Sequence, residues 1–450
     1  MNITKEDIGD LNVLVKINVA SDDYMPKVES TIKDYSKKVQ IKGFRKGKVP
    51  PGVIKKMYGP EIVAEELNKL VNENLSNYLR DNNLQILGDP LPKSGGLTHI
   101  DVNNPRDEEF IYELGLQPEF SIPAVAEKAE VTKYAIQVDE TLVQDEVERL
   151  RKRYGKMTNP EDIQDEDTLY VLLEELDENG NVKEDGIKNA PAMPLEVFKS
   201  ETADRLKKLK KGESIDIDLF NVIERDNETI KNRFLNLEKG KVGDIGGQFR
   251  LTLKNVNRTE KADINQDFFN KIYGEGNVNS EEEFKTKIRE ELSEIMKTNA
   301  DRKLNNDIVE KLINETAVPL PDDFLKRWLK RTNENLSDEE IENEYEPFVR
   351  NLKWSLIVNK VLADANINIE RTDIEDRTKE LIKMEYGLSG EDEGTQAYLG
   401  EFMTHLMKNE EHVKKVYENV RDQKIFEYLK ENLTVKEEPV SYDEFIKKSN

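Results

Sequence analysis

The hydrophobic period of this chain switches between two and roughly 3.6, and those switches limit what it can fold into. Residues 11–19 alternate, with Leu11, Val13, Val15, Ile17 and Val19 on one face, the mark of a half-buried strand. The period then lengthens. Val28, Ile32, Tyr35 and Val39 recur at helical spacing behind Ser21, a candidate N-cap, with Pro26 tolerable in a first turn. Past a Gly- and Pro-rich break over 40–52, Ile62, Val63, Leu67, Leu70, Val71, Tyr78 and Leu79 draw an apolar stripe along a second long helix ending near Asn82–Asn83. Phe110, Tyr112, Leu114 and Leu116 alternate again before Pro118. Residues 1–117 therefore read as an α+β module whose irregular loop lies between its two helices.

Residues 118–161 read as a connector: a strand-like stretch Val131–Val138, then a charged helix through Val143, Val147, Leu150 and Tyr154. Over 162–258 the strands return, as Leu169–Leu176, then Ile215, Ile217 and Leu219, then Phe249, Leu251, Leu253 and Val256. Asn179–Gly180 has hairpin-turn chemistry, and the glycine of that acidic stretch comes too early for a calcium loop. Residues 259–450 read as long helices. Ser280 with Glu283 and Ser337 with Glu340 are capping-box candidates. The first helix carries Phe284, Ile288, Leu292, Ile295, Leu304, Ile308 and Leu312; the second carries Ile341, Tyr345, Phe348, Leu352, Leu356 and Val361; Pro319–Pro321 separates them. Further helices are expected near 373–386, 395–408 and 411–432, followed by a tail containing Pro439. The fold class is multidomain α+β, with a mostly β block inserted between helical flanks so that its two ends lie close together.

A chain of 450 residues is too long for one compact core. Apolar and charged residues each make up 36%, a balance that leans toward disorder unless the apolar positions are periodic, as they are here. Without cysteine, disulfide frameworks, thiolate metal sites and cysteine nucleophiles are excluded. Of the three histidines, His99, His405 and His412, the last two lie in charged helical sequence and read as surface or packing residues. The start MNITKEDIGDLNVLVKINV is acidic where a secretory signal needs a basic stretch and an apolar run, and no apolar run approaches ~20 residues, so a cytoplasmic protein with no membrane contact is expected.

A net charge of −24 makes the chain as a whole a poor polyanion binder. Residues 37–56, KKVQIKGFRKGKVPPGVIKK, break that rule. Lys37, Lys38, Lys42, Arg45, Lys46, Lys48, Lys55 and Lys56 are joined by no acidic residue. Gly43, Gly47, Pro50, Pro51 and Gly52 forbid regular helix and allow close backbone approach, and Phe44 stands at the tip, open to stacking or a small apolar pocket. A solvated basic turn with Phe44 folded into the core fits the composition equally well. Gly43-x-x-x-Gly47-Lys48 is one residue too short for a P-loop and lacks the following Ser or Thr, so no ATP site is supported.

Gly43-Phe44-Arg45-Lys46-Gly47-Lys48-Val49-Pro50 resembles the G-F-R-x-G-x-x-P signature of the trigger factor family, bacterial ribosome-associated chaperones, and the resemblance covers the whole chain. It implies a ribosome-binding domain at 1–117, a connector at 118–161 joining the carboxy-terminal body, an FKBP-like inserted domain at 162–258, and an all-α chaperone body with arms at 259–450. Gly43, Phe44, Arg45, Lys46, Gly47, Lys48 and Pro50 would then dock beside the nascent-chain exit against ribosomal RNA and a ribosomal protein. The implied partners are the ribosome and nascent or unfolded polypeptides; a homodimer is left open, and no cofactor, metal or catalytic residue is called for.

The middle segment departs from the family. Active FKBP-like domains carry an Asp-Phe pair in an early strand and an Ile-Pro-Gly-aromatic element before a helix; here Leu172 and Leu173 stand at the first place and Phe198-Lys199-Ser200-Glu201-Thr202-Ala203-Asp204 at the second. Isomerisation needs walls that favour the twisted amide over the planar one. A degenerate domain is therefore expected, with an active prolyl isomerase as the alternative. A direct RNA-binding module and a periplasmic chaperone rank lower. The function expected is ATP-independent holding of emerging polypeptides. Phe324, Trp328, Phe348, Trp354, Tyr398, Phe402 and Met403 are candidates for client contact or, residue by residue, for helix packing.

Overall fold

The structure, a computed structural model, describes the chain except residues 10, 46, 95–101, 238–245, 334, 388–392 and 450 and the side chains of 94 and 393–398. Strands β1 (Asn2–Gly9) and β2 (Asn12–Val19) form a hairpin, followed by helices α1 (Ser21–Lys38) and α2 (Pro51–Asp81) and strands β3 (Ile86–Ser94) and β4 (Glu108–Leu116). The four strands form an antiparallel sheet in the order β1-β2-β4-β3. Val13, Val15, Ile17 and Val19 point from β2 into one core with Val28 and Ile32 of α1 and Ile54, Ile62, Val63, Leu67 and Val71 of α2. Each such side chain contributes roughly 1.5–3 kcal/mol by leaving water.

One local expectation is corrected, and one strand is new. Ser21 is not the N-cap: Ala20 is, because the Asp23 carboxylate accepts the Ala20 N–H at 3.0 Å, while the Ser21 N–H donates to Asp107. Strand β1 carries no alternation strong enough to read. Lys5, Glu6 and Asp7 leave it exposed, and pairing with β2 rather than burial makes it a strand.

Next come α3 (Pro123–Ala126), β5 (Glu130–Ile136) and α4 (Glu140–Arg153), the last capped by Asp139 accepting the Leu142 N–H at 2.9 Å. The strand-rich region contains β6 (Lys156–Thr158), β7 (Thr168–Glu175), β8 (Lys188–Asn189), β9 (Ala192–Pro194), α5 (Ser200–Leu206), β10 (Ser214–Asp218), α6 (Leu219–Val222), α7 (Asn227–Thr229) and β11 (Gln248–Glu260). Its sheet runs β10-β11-β7-β8, with β6 on β11 and β9 on β7. Leu169, Val171 and Leu173 of β7 face Phe249, Leu251 and Leu253 of β11 in a core shared with Met193, Phe198, Leu206 and Phe234. Lys156, Met157 and Thr158 pair antiparallel with Glu260, Thr259 and Arg258, so the chain enters and leaves this region at neighbouring points. At Asp177–Gly180 the turn closes as anticipated, Gly180 adopting φ +79 and the Asp177 carboxylate accepting the N–H groups of Asn179 and Asn181.

The remaining elements are α8 (Gln266–Tyr273), α9 (Glu281–Glu315), α10 (Asp322–Thr332), α11 (Asp338–Asp364), α12 (Arg371–Tyr386), α13 (Glu393–Leu406), α14 (Glu410–Asn432), β12 (Thr434–Val440) and α15 (Tyr442–Ser449). No described helix is long and apolar enough to cross a membrane. Ser337 and Glu340 form a complete capping box. Ser280 caps Glu283, but the Glu283 carboxylate accepts from Asn279. The tail is structured: β12 pairs with β5, and Phe445 meets Tyr134 edge-on at 6.0 Å.

The chain divides into two compact units, residues 1–133 with 302–437 and residues 134–301 with 438–450. In the first, Leu304, Ile308 and Leu312 of α9 pack with Ile357, Val358 and Val361 of α11 and Ile425 and Leu429 of α14. In the second, Phe284 and Ile288 pack with Val143, Val147, Phe268 and Phe269. Ile295, expected on the apolar stripe of α9, is exposed. The stripe is not continuous because α9 serves two separate cores.

Candidate functional site

The loop between α1 and α2 is fixed at both ends. Val39 and Ile41 pack against the amino-terminal core and Val49 is buried in it. Between them lie two successive turns, closed by the Phe44 N–H donating to the Ile41 oxygen at 3.0 Å and the Lys48 N–H donating to the Arg45 oxygen at 2.9 Å. Gly47 sits at φ +77, and a Cβ there would stand 3.3 Å from the Lys37 oxygen. Pro50 caps α2 with extended backbone and Pro51 occupies its first position, where a missing N–H costs nothing.

Phe44 is 40% exposed and outside the amino-terminal core, so the folded-back alternative is not what the chain adopts. Lys37 is paired with Asp34 at 3.0 Å. Among the described residues, Lys42, Arg45, Lys48, Lys55 and Lys56 have no carboxylate partner; Lys46 lies outside them. Lys37 and Lys38 also close α1, where cations complement the helix dipole. The sequence reading missed the aromatic flank. Tyr35, expected on the buried stripe of α1, is more than a third exposed, its ring 6.3 Å from Tyr58 of α2, and Met57 is exposed beside it. Tyr35 precedes Lys37 by two residues and Tyr58 follows Lys56 by two, at opposite ends of the basic segment; pairing of the two helices brings them together.

The client candidates separate by burial. Phe324 is fully buried, its ring where a side chain on Gly115 would stand. That corrects its reading as a presented surface, because α10 packs on the sheet through it. Trp328 is half-buried against Gly88 and 6.2 Å from Phe348; Trp354 stacks on Phe426 at 6.2 Å. These three also serve packing. Phe402 and Met403 are half-buried on α13, with Phe402 edge-on to Tyr386 at 5.5 Å; the side chain of Tyr398 lies outside the described set. Met384 and Tyr386 are exposed at the end of α12 and were not anticipated, since a polar neighbourhood hides them from a periodicity search.

In the strand-rich region, Leu172 is half-buried and Leu173 fully buried, and Phe198, Phe234 and Phe249 all fill the core. The Lys199–Asp204 stretch opens α5, with Thr202 buried. Asp167 is buried and receives two hydrogen bonds from Arg258, each at 2.8 Å, which hold the strand ends together. Among the described residues no group of three or more His, Cys, Asp or Glu is arranged to hold a metal ion.

Three family models match the chain: "Bacterial trigger factor protein (TF)" over residues 1–150, "Probable trigger factor, FKBP-like domain" over 157–261, and "Probable trigger factor, C-terminal domain" over 300–448. The trigger factor of Chlorobaculum parvum is 22% identical over 455 residues, covering 97% of each chain. That of Aquifex aeolicus is 24% identical over 449 residues, covering 95% of this chain and 86% of its own. A solved trigger factor chaperone superposes over 96% of this chain and 100% of its own at 17% identity and TM-score 0.47. With its amino-terminal, FKBP-like and carboxy-terminal domains matched in order along nearly its whole length, the chain belongs to the trigger factor family.

Proposed function

We propose that the protein docks at the exit of the ribosomal tunnel through Gly43, Phe44, Arg45, Lys46, Gly47, Lys48 and Pro50 and holds nascent polypeptides there without ATP. The observation that carries this reading is an exposed aromatic set among unpaired cations on two hydrogen-bonded turns. An acidic body is repelled by a polyanion while this loop is drawn to it, so attraction also orients the encounter. A loop already closed by its own hydrogen bonds loses little entropy on docking. Partners on this reading are exit-site RNA and protein and unfolded chains, in the cytoplasm.

Client contact is assigned to apolar groups of α12 and α13: Met384 and Tyr386, which are exposed, and Phe402 and Met403, which are half-buried. Methionine and tyrosine adapt to many apolar sequences, and weak dispersed contacts release a client without an energy source. The strand-rich domain acts as a structural or holding module. Leu172 offers some apolar area and Leu173, fully buried, offers none, and neither supplies a polar group to favour a twisted amide.

The test is cosedimentation with ribosomes. Replacing Phe44, Arg45 and Lys46 by Ala should abolish pelleting with little change in thermal midpoint, and wild-type pelleting should weaken as salt rises. Wild-type pelleting by the triple variant overturns the docking assignment.

A further inference from the structure

A second basic segment lies far from the α1–α2 loop in sequence. Arg205-Leu206-Lys207-Lys208-Leu209-Lys210-Lys211 carries five cations in seven positions, at the end of α5 and in the turn that follows. We infer that this turn is an RNA-backbone contact of the strand-rich domain, independent of the α1–α2 loop.

The turn is a built surface. Leu206 is fully buried and Leu209 packs against the same core, so the three-residue spacing of the leucines directs the intervening cations outward. Five backbone hydrogen bonds fix the presentation: Lys208 to Arg205, Leu209 to Leu206, Glu213 to Lys210, Gly212 to Leu253, and Leu253 back to Glu213. Gly212 at φ +91 turns the chain onto β11, next to exposed Lys254. An ordinary solvated charge run has no such anchoring.

Neighbouring acids leave most of the positive charge free. Asp204 and Asp165 are paired with Lys207, and the Glu213 carboxylate accepts the Lys210 N–H at 2.8 Å. Glu201 lies a turn earlier on α5. Among the described residues Arg205, Lys208, Lys210, Lys211 and Lys254 are exposed and have no carboxylate partner. Free cations held at fixed positions suit a ladder of phosphates and contain nothing to read base edges. The expected ligand is RNA of any sequence, with the ~10⁻⁴–10⁻⁶ M affinity usual for backbone binding. An acidic peptide would need apolar pockets beside the charges for specificity, and the leucines here are turned inward.

The experiment uses the full chain carrying the Phe44, Arg45 and Lys46 to Ala changes together with Lys42→Gln, Lys48→Gln, Lys55→Gln and Lys56→Gln, so that no unpaired cation of the α1–α2 loop remains to hold RNA. Its binding to a fluorescein-labelled RNA duplex is measured by anisotropy across a salt series, with and without Lys208→Glu, Lys210→Glu and Lys211→Glu; a Lys→Gln set and thermal melts control for folding. We expect residual RNA binding that the Glu set weakens at least ~10-fold, with the log–log salt slope smaller by about 3. No residual binding, an unchanged slope, or binding to phosphatidylserine vesicles without binding to RNA overturns the inference. Because the readout is the difference made by the second set of changes on a constant first loop, failure here is distinct from failure of ribosome docking.

Discussion

Glu113 of β4 accepts two hydrogen bonds from Arg327 of α10, at 2.7 and 2.6 Å, with its own carboxylate almost fully buried. Two residues on, at Gly115, the absence of a side chain admits Phe324, and Gly88 does the same for Trp328. Helix α10 therefore lies on the β3–β4 end of the amino-terminal sheet, joined to it by a charge pair between two close-packed rings.

This pair makes stability depend on pH. The hydrogen bonds from Arg327 hold the Glu113 carboxyl below its ordinary value, despite the opposing effect of burial. A depressed folded value means that the stabilisation is present above the unfolded value of ~4.3 and is lost as pH falls through the folded one. The thermal midpoint should fall on acidification below about pH 4, and less so in Glu113→Gln. Arg327→Met should cost ~1–3 kcal/mol in urea unfolding, less than a fully buried pair because water reaches Arg327. A Glu113→Gln, Arg327→Met double variant as unstable as Arg327→Met alone would refute the account.

Gly47 tests whether loop shape matters beyond charge. Gly47→Ala keeps every cation but places a Cβ in left-handed backbone against the Lys37 oxygen, at ~1–2 kcal/mol of local strain. Ribosome affinity should drop several-fold with the melt hardly moved. Gly52→Ala, with open space around it, should leave both unchanged.

The strand-rich region should be removable. Because β6 and the end of β11 already lie side by side and the core around Phe268 and Phe284 is separate, joining residue 158 to 258 through an Asn-Gly turn should leave cooperative helical unfolding. Non-cooperative loss of helix in that variant, followed by circular dichroism, would show that the rest depends on it.

The fragment 156–261 should fold but accelerate prolyl isomerisation little beyond the uncatalysed exchange of tens to hundreds of seconds. An NMR exchange assay returning kcat/KM above ~10⁴ M⁻¹s⁻¹ would make the domain an enzyme after all.

Periodicity located most of the long elements because it is a local property: Val13 to Val19 and Leu304 to Leu312 each define an apolar face wherever they are placed. Gly43, Gly47 and Pro50 likewise forced a loop, although Pro51 and Gly52 already open α2, and residues 43–50 carried the family resemblance. What periodicity cannot supply is the partner that covers a face. The edge strand β1, the pairing of β12 with β5 in the segment that contains Pro439, and the exposure of Tyr35 all depend on residues far away in sequence. Met384 and Tyr386 are exposed for the same reason. The sequence by itself determined where the long helices and the alternating strands form and which loop is basic; tertiary structure alone decided that Phe324 is core and that Glu113 is paired, because burial depends on which distant surface arrives, and here Gly115 and Arg327 supplied it.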